Sequence, residues 1–306
     1  MKVAIIGAGN VGATSAQRIA EADLADVVLL DVVQGKAEAK ALDLSSASSI
    51  IRHSRSITGT TDYQGIAEAD IVVVTAGSAR QPGQNRADLL LDNAKTIKDI
   101  SKNLVEYCPD SIVIVVTNPL DAMTYLTLKT TGFAADRVIG MGGVSDSARF
   151  NMLVAAELNT ASQHIQSVII GAHANNMVIL PRLSTVLGSS ISELLPQDRI
   201  EKLIEETRNF GARIVKLLGK GSAYYGPSAG IFSLVDSIVK DSKSILCASV
   251  YLGGPYGLRD LCIGVPVKVG RLGIEEIIEL KLEEKEKNDF LDSAESVKKL
   301  IKELGV

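Results

Sequence analysis

Four unbroken apolar runs mark the first half of the chain: KVAIIG at 2–7, DVVLLD at 26–31, DIVVVTA at 70–76 and SIVIVVTN at 111–118. Each is followed by a stretch whose apolar residues recur at the helical period, so the pattern predicts alternating strands and helices. Strands joined by helical crossovers run parallel, and runs apolar at every position are buried on both faces. The expected architecture is α/β, a doubly wound parallel sheet of Rossmann type with ligands beyond the C-terminal ends of its strands. The second half reads differently. HIQSVIIGAH (164–173) reads as a strand, and PQDRIEKLIEETRNFGARIVKLLG (196–219) and SAGIFSLVDSIVKD (228–241) as amphipathic helices. CIGVPVKVG (262–270) and IIELKL (277–282) read as antiparallel strands, and NDFLDSAESVKKLIKELG (288–305) as a closing helix with EEKEKND as its solvated start. The change of pattern falls within GMGG at 140–143, which divides residues 1–141 from a mixed α/β unit at 142–306.

Composition narrows the class. At 306 residues and 46% hydrophobic content the chain can bury a large core. With no Trp and five Phe, that core must be aliphatic. A net charge of -4 provides no basic field, so nucleic acid is not an expected partner. The first apolar segment is broken at Gly7, too short for a signal sequence, and no later run approaches the thickness of a bilayer. A soluble cytoplasmic protein with no membrane partner is expected. Cys108, Cys247 and Cys262 are odd in number and lack a CxxC pair, so they read as reduced, buried thiols.

GAGNVG places Gly7, Gly9 and Gly12 directly after the first strand and at the entry to a helix, where a pyrophosphate can approach backbone donors. Asp31 ends the second strand 19 residues after Gly12, where a carboxylate accepts from both ribose hydroxyls and repels a 2′-phosphate. The expected cofactor is therefore NAD rather than NADP. The third and fourth runs deliver Thr75, Ala76, Gly77 and Asn118 to the same crevice. Asn118 reads equally as the start of the next helix. Between them, GSARQPGQNRADLL (77–90) carries Arg80 and Arg86 through a segment whose Gly, Pro, Ser, Gln and Asn oppose regular structure.

Three histidines remain. His53 has polar neighbours and reads as a surface residue; His164 precedes a strand and reads as structural. His173 ends an apolar strand and opens toward the crevice, where a ring titrating near neutrality can exchange protons. SDSARF puts Asp146 and Arg149 three residues apart at a helix start, hence on one face. The same pair also reads as a dipole-favoured acid with its salt-bridge mate.

Taken together, GAGNVG, TAGSARQPGQNR, VVTNPLDAMTY, GMGGVSDSARF, GAH, GSAYYGPSAG and IGVPVKVG resemble the lactate/malate dehydrogenase family, specifically its lactate-dehydrogenase-like malate dehydrogenases, across essentially the whole chain. The resemblance implies an NAD-binding unit at 1–141, a substrate unit at 142–306, and assembly as a homodimer or homotetramer. It makes His173 the acid–base residue, Asp146 the partner of its other ring nitrogen, and Arg149 the grip on the substrate's carboxylate. By the same resemblance Arg86 closes over the substrate and polarises its carbonyl. Arg80 takes the specificity position, where lactate dehydrogenases usually carry glutamine. Asn118 is implied to contact substrate and nicotinamide, and Asp31 the ribose; Asn10, Val11, Asn93 and Val116 are further implied cofactor contacts.

The implied reaction is reversible hydride transfer between NADH and oxaloacetate, giving (S)-malate and NAD. A dicarboxylate would satisfy both Arg149 and Arg80, whereas pyruvate would leave Arg80 enclosed and unpaired, which is costly. The alternatives are a relative acting on lactate or another 2-hydroxy acid, and a catalytically impaired NAD-binding member. The second is raised by Ala174 and Asn175, two of three departures from the family pattern. His173-Ala174-Asn175 stands where His-Gly-Asp is usual, and Ser145 where leucine is common. A positive φ at position 174 would cost alanine about 1–2 kcal/mol.

Overall fold

Runs free of polar residues become strands closed to water, and those strands build the middle of one sheet. The protein was analysed as a computed structural model that describes residues 1–78 and 86–306; for Arg86 and Ala87 the description covers the helical backbone alone. In the first half, β1 (Lys2–Ile6), β2 (Asp26–Leu30), β3 (Ile57–Thr60), β4 (Ile71–Val74), β5 (Ile112–Val115) and β6 (Val138–Gly140) are all parallel. Helices α1 (Asn10–Glu21), α2 (Lys36–Ser46), α3 (Ser48–Ile51), α4 (Arg86–Tyr107) and α5 (Leu120–Thr131) lie between them in sequence. The strand order is β3-β2-β1-β4-β5-β6, so the order reverses between β1 and β4 and a crevice opens at their C-terminal ends.

After β6 come α6 (Gly142–Glu157), the short strands β7 (Ile165–Gln166), β8 (Ile169–Ile170), β9 (Val178–Ile179), β10 (Thr185–Val186) and β11 (Ser189–Ser190), and α7 (Ile191–Leu194). The long helices α8 (Gln197–Leu218) and α9 (Tyr225–Lys240) follow, then β12 (Ser244–Gly253), β13 (Arg259–Gly270), β14 (Gly273–Ile277) and α10 (Glu284–Leu304). β12, β13 and β14 run antiparallel and extend the first sheet to nine strands, joined at the pairing of Ser249 with Gly140.

Three strands were not anticipated, and three local expectations need correction. β3 and β6 carry no long apolar run, because ITGT is half polar and VIG only three residues long. β12 was not anticipated, since Ser, Cys, Ala and Tyr dilute its alternation; only packing between β6 and β13 makes it a strand. HIQSVIIGAH divides into β7 and β8, which join different sheets. The strand placed at IIELKL lies earlier, at Gly273–Ile277: the Ile278 amide still donates to the Pro266 carbonyl, and pairing then stops. Residues 86–90 are helical, because the apolar positions of ADLLLDNAKTI begin α4 at Arg86.

The core is aliphatic as expected, with β4 and β5 buried at every position. Each such Val or Ile contributes about 1.5–3 kcal/mol through burial. The three cysteines are free and buried. EEKEKND does start the last helix, where Glu283 and Glu286 form a reciprocal capping box. Among the described residues no helix is long and apolar enough to cross a membrane.

Candidate active site

The glycine motif forms the floor of the crevice. Gly7 has φ +106°, and a Cβ on Gly12 would fall 2.0 Å from the Gly7 carbonyl, so α1 can pack this close to β1 only without side chains. A Cβ on Gly9 would meet nothing within 4 Å, which leaves its backbone open for a phosphate. Asn10 and Val11 form the first turn of α1. The cleft encloses about 470 Å³ and is lined by Gly7, Gly9, Asp31, Thr75, Ala76 and Gly77, among others.

Asp31 is buried and already hydrogen-bonded. Oδ2 accepts from the Ala8 amide and from Lys36 Nζ, each at 2.8 Å, and Oδ1 from the Val33 amide at 3.1 Å. Burial pushes its pKa up, but these donors outweigh it and hold the carboxyl below its usual range. Thr75 Oγ1 donates to the carbonyls of Ile6 and Gly7, tying the end of β4 to the glycine turn.

Asn118 does not cap the next helix: α5 starts at Leu120 with Pro119 at its N-cap, and the Asn118 side chain is exposed. Buried Asn93 reaches across from α4, donating to the Asn118 carbonyl at 2.7 Å and accepting from the Ser78 amide at 2.8 Å. It thereby fixes the N-terminal stem of the arginine segment against the end of β5. Val116 is half-buried, its amide bonded to the Val74 carbonyl.

Across the crevice, His173 Nδ1 lies 2.6 Å from Asp146 Oδ2, and Arg149 Nη1 donates to Asp146 Oδ1 at 2.9 Å. The Asp146 side chain is only 2% exposed, whereas those of His173 and Arg149 are each 17% exposed. α6 can bring its first turn against the imidazole because Gly142 has no side chain; a Cβ there would sit 2.8 Å from His173 Cβ. Burial pushes the His173 pKa down, but Asp146 raises it more and the net shift is upward. With Nδ1 engaged, Nε2 is the atom left to exchange a proton. The Arg149 guanidinium also lies 5.9 Å from the Phe210 ring centroid, a cation–π contact that helps hold it in place.

One residue of this cluster escaped the sequence reading. Asp121 is buried on α5, where Oδ2 accepts the His173 amide at 2.8 Å and Oδ1 accepts from Ser249 Oγ at 2.7 Å. Burial raises its pKa, opposed by those two donors. The signal available was a lone carboxylate in the apolar helix LDAMTYLTL, adjacent to the candidate Asn118.

The departures around His173 carry less strain than the usual pattern suggests. Ala174 is absent from the residues with positive φ, so it pays no left-handed penalty, and Asn175 is exposed. Ser145 is buried in the first turn of α6. His53, expected at the surface, is half-buried, and His164, expected to be structural, is exposed in a 3-10 turn. Arg80, Pro82, Gly83 and the side chain of Arg86 lie outside the described residues. Among the described residues no three His, Cys, Asp or Glu side chains converge as metal ligands.

A doubly wound sheet whose strand order reverses over a glycine turn, with a carboxylate-held histidine across the crevice, is the frame of a dinucleotide-dependent oxidoreductase. Residues 1–140 match the lactate/malate dehydrogenase NAD binding domain, and residues 145–305 the lactate/malate dehydrogenase alpha/beta C-terminal domain. The chain belongs to the lactate/malate dehydrogenase family, and its cofactor is NAD. It is 48% identical over 305 residues to a malate dehydrogenase of Methanosarcina barkeri, covering 100% of this chain and 99% of that one. Its fold matches the crystal structure of Cryptosporidium parvum malate dehydrogenase with a TM-score of 0.97 at 37% identity, over 99% of this chain and 98% of that one. It also matches the lactate dehydrogenase of the same organism, solved with lactic acid and nicotinamide adenine dinucleotide, with a TM-score of 0.96 at 31% identity over 99% and 98% of the two chains.

Proposed function

We infer that the protein catalyses reversible hydride transfer between NADH and oxaloacetate, giving (S)-malate and NAD, the reaction of a malate dehydrogenase. The observation that carries this reading is the single carboxylate, Asp146, shared by a proton donor and a carboxylate clamp. The full-length relative named malate dehydrogenase supports the substrate choice.

The reduced nicotinamide supplies a hydride to the keto carbon. His173, protonated and held by Asp146, donates the Nε2 proton to the carbonyl oxygen as negative charge develops there. Running backwards, the neutral ring takes that proton from the malate hydroxyl. Arg149 offers its planar fork to the carboxylate beside the reacting carbon, and two parallel charge-assisted bonds orient the substrate. Arg86 stabilises the carbonyl oxygen, and Arg80 receives the second carboxylate. Asn118 contacts substrate and nicotinamide. Gly7, Gly9, Asn10, Val11 and Gly12 cradle the pyrophosphate, Asp31 takes the ribose, and Thr75, Ala76, Gly77, Asn93 and Val116 shape the remaining cofactor surface.

In this reading residues 1–141 serve the cofactor and 142–306 the substrate. The family resemblance adds the expectations of a homodimer or homotetramer and a cytoplasmic location. Because malate and lactate dehydrogenases share this fold almost equally, the fold does not decide the substrate; Arg80 does. The test is NADH consumption on adding oxaloacetate, with pyruvate as control. Oxaloacetate should be reduced at least about 10³-fold more efficiently. Equal rates would remove the specificity argument, and no turnover with NADH bound would favour a silent member.

A further inference from the structure

Two buried carboxylates hold His173, and among the described residues only Asp146 has an arginine or lysine to pair with. Asp121 Oδ2 accepts the His173 amide at 2.8 Å and Oδ1 accepts from Ser249 Oγ at 2.7 Å. An asparagine would serve both neighbours, accepting from the amide and donating to the hydroxyl, without taking a charge out of water. A buried carboxylate is costly unless a positive charge reaches it, and the one that reaches Asp121 is the protonated His173 ring. The surroundings offer no other. α6 contributes Asp146 and Arg149, already paired at 2.9 Å. β12 contributes Cys247 and β13 Cys262, and burial pushes both thiols up, so they stay neutral. α10 contributes the Ser293 hydroxyl, which accepts the Ala172 amide, and α4 meets α5 through Ser101 and Thr130. Lys129, about two turns further along α5, is held by Asp260 at the surface. The described set of Asp121, Asp146, Arg149 and His173 is therefore neutral with the ring protonated and carries one negative charge without it.

We propose that Asp121 is a positioning residue for the proton transfer: ionised in the resting protein, it fixes the His173 backbone and adds a second negative charge that favours the protonated ring. This inference rests on the reading of His173 as the proton donor. Asp121 touches neither substrate nor cofactor in this role; it acts by keeping the ring charged until the carbonyl oxygen takes the Nε2 proton. The balance of charges agrees with the geometry. Burial pulls the His173 pKa down, Asp146 outweighs it, and Asp121 acts in the same upward direction against Arg149.

Asp121→Asn removes the charge and keeps both hydrogen-bonding neighbours. The rings of His53, His164 and His173 can be titrated together by NMR in the intact protein without substrate, with His173→Gln assigning the third. In Asp121→Asn the His173 titration should move down by about half a pH unit to one unit, while His53 and His164 stay in place. The pH limb of kcat/KM for oxaloacetate should move down with it. Hydration of a loosened site would relieve burial and move the ring upward instead. An unmoved His173 ring, or one moved upward, would overturn the proposal. Should Asp121→Asn not fold, the wild type decides through the chemical shift of the Asp121 carboxyl carbon. An ionised carboxyl that senses the His173 titration supports the proposal; a protonated one at neutral pH, or one blind to that titration, overturns it. A displaced ring in a protein that does not reduce oxaloacetate would leave the coupling standing and overturn the proposed function.

Discussion

Asp146 Oδ2 holds His173 Nδ1 at 2.6 Å while its other oxygen holds Arg149. The proton donor and the carboxylate clamp therefore share one buried, rigid partner, and the separation between them is set by a single side chain. That arrangement makes Asp146→Asn a double lesion, because the amide can serve at most one of its neighbours as the carboxylate does. The variant should lose about 10²-fold or more in kcat for oxaloacetate reduction while NADH binding, followed by fluorescence, stays near wild type. An intact kcat would remove the dyad from the mechanism.

The raised His173 pKa fixes the sign of the pH dependence. Reduction needs the protonated ring, so kcat/KM for oxaloacetate should hold at low pH and fall as pH rises through a value above the ordinary 6.5. Oxidation of malate needs the neutral ring and should show the opposite limb. The same upward shift stabilises the fold fully below about pH 6.5 and is lost as pH rises through the folded-state value. Removing the Asp146 charge should move both kinetic limbs to lower pH, as pH–rate profiles would show.

Arg149→Lys keeps the charge and loses the fork. With one or two bonds in place of a planar pair, kcat/KM for oxaloacetate should fall about 10- to 150-fold, mostly through KM, in steady-state kinetics. A loss under twofold would place the substrate carboxylate elsewhere.

Asp121 tests the support beneath the histidine. Asp121→Ala leaves the His173 amide and the Ser249 hydroxyl without their acceptor and should cost about 2–4 kcal/mol in denaturant unfolding. Asp121→Asn can still accept from the amide and should cost less. If the two variants unfold alike, the hydrogen bonds contribute nothing beyond side-chain volume.

Arg80→Gln removes the cation expected to meet the second carboxylate. The ratio of oxaloacetate to pyruvate efficiency should fall by about 10²- to 10³-fold, measured by NADH consumption with each acid. An unchanged ratio would leave the specificity to other residues.

Legibility in the sequence followed the range of the physics. β4 and β5 were plain because four consecutive apolar residues buried on both faces need no partner to be recognised. β12 was not, since SILCASVYLG becomes a strand only by pairing with β13 and β6. His173, Asp146 and Arg149 could be named from strand-end and helix-start positions, but whether Asp146 served Arg149 or His173 stayed open; the structure shows that it serves both.

Local rules acting within a few residues determined the parallel sheet, the glycine turn and the identity of the candidate chemistry, because backbone freedom and apolar period are properties of short segments. Packing between distant segments decided the rest. Asp121 meets Ser249 across 128 residues and His173 across 52. Those contacts are set by which buried polar groups can satisfy one another once the layers close, and no periodicity in the chain records that choice.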